Sequence, residues 1–203
     1  MKLRQLEIAL QRCAGYTKPR AGLEQYQTPA PLAARLLYDA FMQGDIEGKS
    51  VCDLGSGTGI LAIGAALLGA APVRGIETDT DAIRIARENA RLLGADVEYI
   101  PADIATAQET AGPCDTIVMN PPFGAQKQNL HADRPFIDAA LAIAPVTYGI
   151  FNAGSTPFVN AYVKGRATVA GQVSGTFSIK RTFAFHTRDA HEIPVEILKL
   201  VRT

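Results

Sequence analysis

The sequence predicts an α/β fold: a mostly parallel, seven-stranded sheet with helices on both faces and a C-terminal antiparallel hairpin. Three observations predict it. From residue 50 onward, short apolar runs alternate with helix-length amphipathic segments, the pattern of strand–helix–strand crossovers. A glycine cluster, Gly55-Ser56-Gly57-Thr58-Gly59, follows the first run at once. The last two apolar runs, about residues 172–180 and 193–201, have no helical segment between them, so one of the pair turns back antiparallel.

Taken in order, Leu3, Leu6, Ile8 and Leu10 recur near helical spacing and predict a short amphipathic helix. A loop containing Pro19 follows over 15–28. Thr28-Pro29 reads as an N-cap and a first-turn proline, opening a helix to about residue 41 that ends at Gln43-Gly44. Residues 50–54 form a buried strand, then the glycine turn, then an alanine-rich helix to about residue 69. Residues 73–77 are a second strand. Residues 79–93 are a helix with Ile83, Ala86, Ala90 and Leu93 on one face and Gly94 as its stop. Residues 97–100 are a third strand, expected at the sheet edge. Residues 115–119 are a fourth, running into Asn120-Pro121-Pro122-Phe123. A helix near 134–144, a strand at 147–151 and a helix at 156–165 complete the crossovers.

The chain of 203 residues is read as a single domain, 1–203, with residues 1–44 as an N-terminal helical lid extension. A 47% apolar and 20% charged composition excludes a disordered chain, a collagen-like fibre and a disulfide-rich miniprotein. Cys13, Cys52 and Cys114 are odd in number and widely spaced, which points to a reducing compartment and to no metal site. His131, His186 and His191 lack metal-ligand spacing. The longest apolar stretch, 59–73, is too short to span a bilayer, so no membrane association and a cytoplasmic location are expected. Net charge is zero, but residues 1–44 carry +3, 45–115 carry −7 and 116–203 carry +4. A neutral total can therefore hide a positive face.

Two motifs sit at strand carboxyl ends, where open parallel sheets bind their ligands. The first is Asp53-Leu54-Gly55-Ser56-Gly57-Thr58-Gly59. Its glycines allow a tight turn and a close backbone approach to a ligand, and the following helix N-terminus offers free amide donors. Glu77, 18 residues after Gly59, ends the next strand and can bond ribose hydroxyls. Asp103, after the third strand, can take an adenine amino group. The Gly-x-Gly-x-Gly spacing departs from the dinucleotide pattern, and the loop lacks the Lys-Ser/Thr of a phosphate loop. Asp53 at the loop start suits a positive sulfonium better than a pyrophosphate. Together these residues point to S-adenosylmethionine.

The second motif is Asn120-Pro121-Pro122-Phe123. An exocyclic amine conjugated to a ring is a poor nucleophile, and its lone pair must be drawn out of the ring plane. The Asn120 side-chain carbonyl and the Pro121 backbone carbonyl can each accept one amine hydrogen. The prolines stiffen the backbone and remove competing donors. Phe123 offers a face for stacking on a planar substrate. Such catalysis is positioning and electrostatics.

Asn-Pro-Pro-aromatic at this place resembles the signature of amino methyltransferases acting on adenine, cytosine or glutamine amides. The chain is more closely similar to the methyltransferase-like family of small-subunit ribosomal RNA adenine-N6 methyltransferases of eukaryotes and their archaeal relatives. The stretches that carry the resemblance are Leu23-Glu24-Gln25-Tyr26-Gln27-Thr28-Pro29, the turn at 53–59, Asn120-Pro121-Pro122-Phe123-Gly124, and Phe185-His186 followed by the last strand. Glu77 departs from the family's usual Asp, and Ser56 and Thr58 from its usual Cys. The resemblance implies a Rossmann-like class I methyltransferase fold, S-adenosylmethionine as methyl donor and transfer to the 6-amino group of adenosine in structured RNA. It also implies that Gln25 and Thr28 close over the cofactor, that Gly55, Thr58, Ile60, Glu77, Asp103 and Ile104 line its pocket, and that 120–123 hold the adenine. A small zinc-binding activator protein adding a strand to the sheet edge is a further implied partner. Lys180, Arg181, His186 and Arg188, with Phe183 and Phe185 interleaved, are candidates for RNA contact. Three rivals stay open at this level: a protein glutamine methyltransferase, a DNA adenine methyltransferase, and a non-catalytic adenosyl-ligand-binding subunit.

Overall fold

The computed structural model describes residues 1–17, 19–20, 25–122, 132–180 and 190–203, with the side chains at 178–180, 190 and 191 excepted. Helices α1 (Leu3–Leu10) and α2 (Ala30–Met42) precede the strand β1 (Val51–Leu54). Then follow α3 (Ile60–Leu67), β2 (Val73–Glu77), α4 (Thr80–Leu93), β3 (Glu98–Pro101), a 3₁₀ turn (Ile104–Thr106) and α5 (Ala107–Ala111). The chain continues through β4 (Thr116–Met119), α6 (Asp133–Ile143), β5 (Val146–Asn152), α7 (Thr156–Val163), β6 (Ala167–Lys180) and β7 (Ala190–Arg202).

The seven strands lie in the order β3-β2-β1-β4-β5-β7-β6. The first five pair parallel, and β7 inserts antiparallel between β5 and β6. The parallel strands are four to seven residues long and mostly buried, as expected when helices cover both faces. On one face α1, α2, α3 and α4 pack through Leu6, Leu10, Leu36, Leu37, Ile63 and Ile83. On the other, α5, α6 and α7 pack through Ala107, Ile137, Ala140, Val159 and Val163. The N-terminal helices thus share the main core.

Local chemistry explains most boundaries. Asp79 caps α4 by accepting the Asp81 N–H at 3.0 Å, and Gly94 ends that helix in the left-handed region at φ 65°. Several boundaries differ from the sequence reading, and one short helical segment was not foreseen. The N-cap of α2 is Pro29, one residue later than expected, and the Thr28 hydroxyl instead accepts a bond from Asn120. Strand β6 begins at Ala167, earlier than the expected 172, because its pairing with β7 runs on through an irregularity between Val169 and Gly171. The 3₁₀ turn and α5 had no periodic signal, since Ala107 and Ala111 alone give that short helix its buried face.

Candidate functional site

The carboxyl ends of β1, β2 and β4 open onto a cavity of about 250 Å³. Three features of the first half of the chain shape its floor. Gly55, Gly57 and Gly59 take positive φ (69°, 53° and 91°), so the chain reverses within five residues and delivers α3 with its N-terminus at the turn. Gly75, register partner of Asp53, is a glycine for closeness: a Cβ there would meet the Tyr99 ring at 2.7 Å and Ser56 Oγ at 2.9 Å. The Tyr99 ring therefore lies behind the turn, and its hydroxyl abuts Gly59.

Two carboxylates face this floor. Asp53, 1% exposed, accepts the Ala62 N–H on Oδ2 at 3.0 Å, while Oδ1 is buried without a partner. Burial pushes its carboxyl up to about 8; the Ala62 bond opposes this and the nearby Glu77 charge adds to it. Glu77 accepts Gly57 N–H on Oε2 at 2.8 Å and Asp79 N–H on Oε1 at 2.9 Å. Burial raises its pKa in spite of those bonds. Each Glu77 oxygen keeps a lone pair, so the backbone bonds fix the carboxylate and leave it able to accept ribose hydroxyls.

The N-terminal segment is fastened over this floor. Gln25 donates to Asp79 Oδ2 at 2.7 Å and accepts the Arg20 N–H at 2.8 Å. Burial alone would raise the Asp79 pKa, but the bonds from Gln25 and the Asp81 amide and the charge of Arg20, 3.7 Å away, leave it below the ordinary value. Asn89 exchanges two bonds with the Ala14 backbone, at 2.8 and 3.0 Å, and donates to the Thr58 carbonyl at 2.9 Å. It thereby ties residue 14 to the glycine turn. Tyr16 reaches over Gly57, and burial together with Glu77, Asp53 and Asp79 raises its phenol's pKa.

At the other end of the cavity Asn120 follows β4. Its amide donates to Thr28 Oγ1 at 2.9 Å, and its Oδ1 is buried with no partner. Pro121 and Pro122 continue the wall, with Phe136 of α6 opposite, close enough that a Cβ on Gly55 would meet its ring at 2.8 Å.

Of the expected site residues, Gln25, Thr28, Asp53, Gly55, Gly57 and Thr58 line the cavity. So do Ile60, Glu77, Asp103, Ile104, Asn120, Pro121 and Pro122. Gly59 does not: it lies behind the wall, packed against Tyr99 and Ala86, because its role is to turn the chain into α3. Asp103 faces the cavity while its Oδ1 caps the 3₁₀ turn through the Ala105 N–H at 2.9 Å. Phe123, Arg181, His186 and Arg188 lie outside the described residues, as do Leu23, Glu24, Gly124 and the Lys180 side chain. Sequence reasoning missed Tyr16, Asn89, Phe136 and Phe177. Only Asn89 carried a signal, being an amide within the apolar face of α4, where it is 2% exposed.

The residues present fit S-adenosylmethionine on three counts. The cavity holds a buried carboxylate oxygen without a donor, on Asp53, for a cationic ligand. It holds a fixed acid at the end of β2 for a ribose, and a glycine floor that a Cβ would obstruct. The bound cofactor would supply an electrophilic methyl group.

Comparison with known proteins agrees with this geometry. The family model of the methyltransferase small domain matches residues 31–144. An uncharacterized protein of Methanocaldococcus jannaschii is 37% identical, covering 98% of this chain and 94% of its own. The rRNA N(6)-adenosine-methyltransferase METTL5 of Danio rerio is 30% identical over the whole of both chains. The crystal structure of a candidate RNA methyltransferase from Pyrococcus horikoshii superposes with a TM-score of 0.91 at 35% identity, covering 100% of this chain and 98% of that one.

Proposed function

The chain belongs to the methyltransferase small domain family, with S-adenosylmethionine as its methyl donor, and we propose that its methyl acceptor is the 6-amino group of an adenosine in structured RNA, with ribosomal RNA as the substrate. The observation that carries this reading is the state of Asn120. Its NH₂ group is spent on Thr28, so its carbonyl oxygen, buried and unpartnered, is turned to accept a hydrogen. A buried acceptor without a donor is costly, on the order of 1–3 kcal/mol, and an aromatic amine relieves that cost.

The chain's own groups then divide the work. Glu77 and Asp103 hold the adenosine end of the cofactor. Asn120 Oδ1 and the Pro121 carbonyl accept the two amine hydrogens, which holds the nitrogen lone pair out of the ring plane. Pro122 keeps that backbone from turning away, and Phe123 supplies the stacking face that the motif calls for. Gln25, Thr28 and Tyr16 exclude water from above. The methylated nitrogen is cationic and strongly acidic, so it gives up one of its two hydrogens to water as the product leaves; no strong base is needed, and positioning carries the catalysis. The target adenosine must leave its stack to reach the cavity.

RNA is favoured as substrate because the relative named for rRNA adenosine methylation matches the whole length of this chain. A zinc-binding activator adding a strand along β3 is part of the same proposal. Strand β3 is a sheet edge, whose outward backbone groups can pair with an added strand. Copurification from native cells is expected to recover that partner.

The central test is nucleoside mass spectrometry of ribosomal RNA. Cells lacking this protein are expected to lose one N6-methyladenosine, restored by the wild type and not by Asn120→Ala. Unchanged N6-methyladenosine with an altered methylated protein residue would overturn the RNA reading.

A further inference from the structure

Arg134 has no part in the site described so far. It lies in the first turn of α6, between Ala132 and Phe136, both of which line the cavity. Its guanidinium carbon sits 5.3 Å from the ring centre of Phe158 and 5.6 Å from that of Tyr162. Those two rings, on α7, stack on one another at 5.7 Å with their planes 26° apart. The Nε of Arg134 is buried and makes no hydrogen bond. Among the described residues no carboxylate lies within ion-pair distance of it. Asp138, one turn further along α6, is already engaged: it pairs with Arg166 at 2.7 Å and accepts the Tyr162 hydroxyl at 2.8 Å.

This arrangement is not what the fold needs. A cation in the first turn of a helix opposes the helix dipole. Joining α6 to α7 could be done by an apolar chain of similar volume. Aromatic faces attract the guanidinium without cancelling its charge, so its two terminal NH₂ groups stay available in the plane of the group. The result is an uncompensated, oriented positive charge where α6 and α7 leave the carboxyl end of the sheet, beside the wall that holds the acceptor.

We propose that Arg134, seated on Phe158 and Tyr162, grips a backbone phosphate of the RNA next to the nucleotide being methylated. The proposal rests on the RNA reading above and adds a specific handle to it. Stacking fixes the plane of the guanidinium fork, and such a fork matches a phosphate with two parallel bonds. One contact of this kind positions the strand and carries no sequence information of its own.

The test uses the full chain and, as probe, small-subunit ribosomal RNA from cells lacking this protein. Arg134→Gln is expected to raise KM for RNA by roughly 5–10-fold with kcat and cofactor affinity unchanged, and to lower the slope of log Kd against log salt by about one. Arg134→Lys keeps the charge and is expected to keep the slope while recovering part of the affinity. Phe158→Leu loosens the guanidinium and is expected to raise KM less, again with the slope kept. A Gln variant with wild-type KM and slope would overturn the proposal, even if its melting temperature fell, because that result marks a clamp between helices and nothing more. Wild-type protein that does not bind RNA at all would overturn this proposal together with the RNA reading.

Discussion

The two ends of the sheet treat their buried polar groups differently. Near the amino end of β4, Asp45 accepts the Tyr148 hydroxyl and the Lys199 ammonium, each at 2.6 Å, and its carbonyl takes the Thr116 hydroxyl at 2.7 Å. Lys199 also lies 5.4 Å from the centre of the Tyr148 ring. Every group in that cluster is answered from within the chain; the one exception at this end is Thr147 Oγ1, next in chain to Tyr148, which is buried without a partner. At the carboxyl end, Asp53 Oδ1, Ser56 Oγ, Tyr99 Oη and Asn120 Oδ1 are buried and unanswered. Arg134 Nε, on the rim, is a fifth. The amino end is built for the fold. The carboxyl end gathers most of the unsatisfied groups, and three of them, on Asp53, Ser56 and Asn120, belong to residues that line the cavity, which is what a site awaiting a ligand requires.

A second contrast lies inside the carboxyl end itself. Around β2 the acid is prepared, with both Glu77 oxygens held by backbone amides before any ligand arrives. Around β4 the acceptor is left open, with only the NH₂ side of Asn120 anchored. Binding and chemistry should therefore separate under mutation. Asn120→Ala is expected to have the largest effect, lowering kcat by about 10²–10³-fold, the size seen when one positioned hydrogen bond to the reacting group is removed. Cofactor affinity should stay within threefold. Single-turnover assays and calorimetry check the pair, and a variant with wild-type turnover would end the positioning mechanism.

Glu77→Ala comes next and should do the reverse. Losing charged bonds to a ribose costs roughly 1.5–3 kcal/mol of cofactor affinity. The change also frees the Gly57 and Asp79 amides, so the turn itself loosens and thermal stability falls. With cofactor at saturation, kcat should recover to near the wild-type value. Equal affinity in calorimetry would remove Glu77 from the binding role.

Gly75→Ala probes the rear wall. The added methyl meets the Tyr99 ring and Ser56 Oγ, so overpacking of about 1–3 kcal/mol is expected, read as a lower midpoint in urea unfolding. Adding Tyr99→Phe to that variant should change little, because it is the ring carbons that collide. Removing the ring with Tyr99→Ala should relieve the collision while leaving a cavity of its own.

The sequence made the prepared half legible and the open half only in part. Glycines at 55, 57 and 59 and an acid ending β2 are local signals, and each sits where the strand–turn–helix pattern places it. The edge place of β3 and the reversal of one late strand followed from crossover rules, while the insertion of β7 between β5 and β6 did not. What escaped depends on contacts between segments far apart in sequence. Nothing near Tyr16 announces that it crosses Gly57, and Phe136 reaches Gly55 only because α6 folds back across the strand ends. Thr28 looked like a cap because Pro follows it; its bond to Asn120, 92 residues away, is tertiary. Gly59 belongs to the same motif as Gly55 and Gly57, which line the cavity, while its own place is set by Tyr99. Asn89 was legible in principle, since a buried amide on an apolar helix face must find partners.

The smallest expected effect concerns Asp53 and tests whether the open groups await a positive ligand. Burial holds its carboxyl at about 8, far above the ordinary value near 3.8. The folded protein thus keeps a proton that the unfolded chain releases. The stability this group contributes is complete below about pH 4 and is lost as pH rises toward 8. A cation placed beside the carboxyl favours its ionised form and must displace that proton. S-Adenosylmethionine affinity should therefore rise between pH 6 and 8, by at most about tenfold per unit for one proton. S-Adenosylhomocysteine, whose sulfur is neutral, should show a weaker rise. Asp53→Asn should flatten both profiles and bring the two affinities closer together, with Glu77 still holding the ribose. Calorimetry in two buffers of different ionisation enthalpy reads the proton directly: about one released with the sulfonium ligand in the wild type, and none in Asp53→Asn. Release that survives in the Asn variant would transfer the role to Glu77, the other raised carboxyl in the cavity, and a flat wild-type profile would show that the unpaired oxygen of Asp53 serves the turn alone.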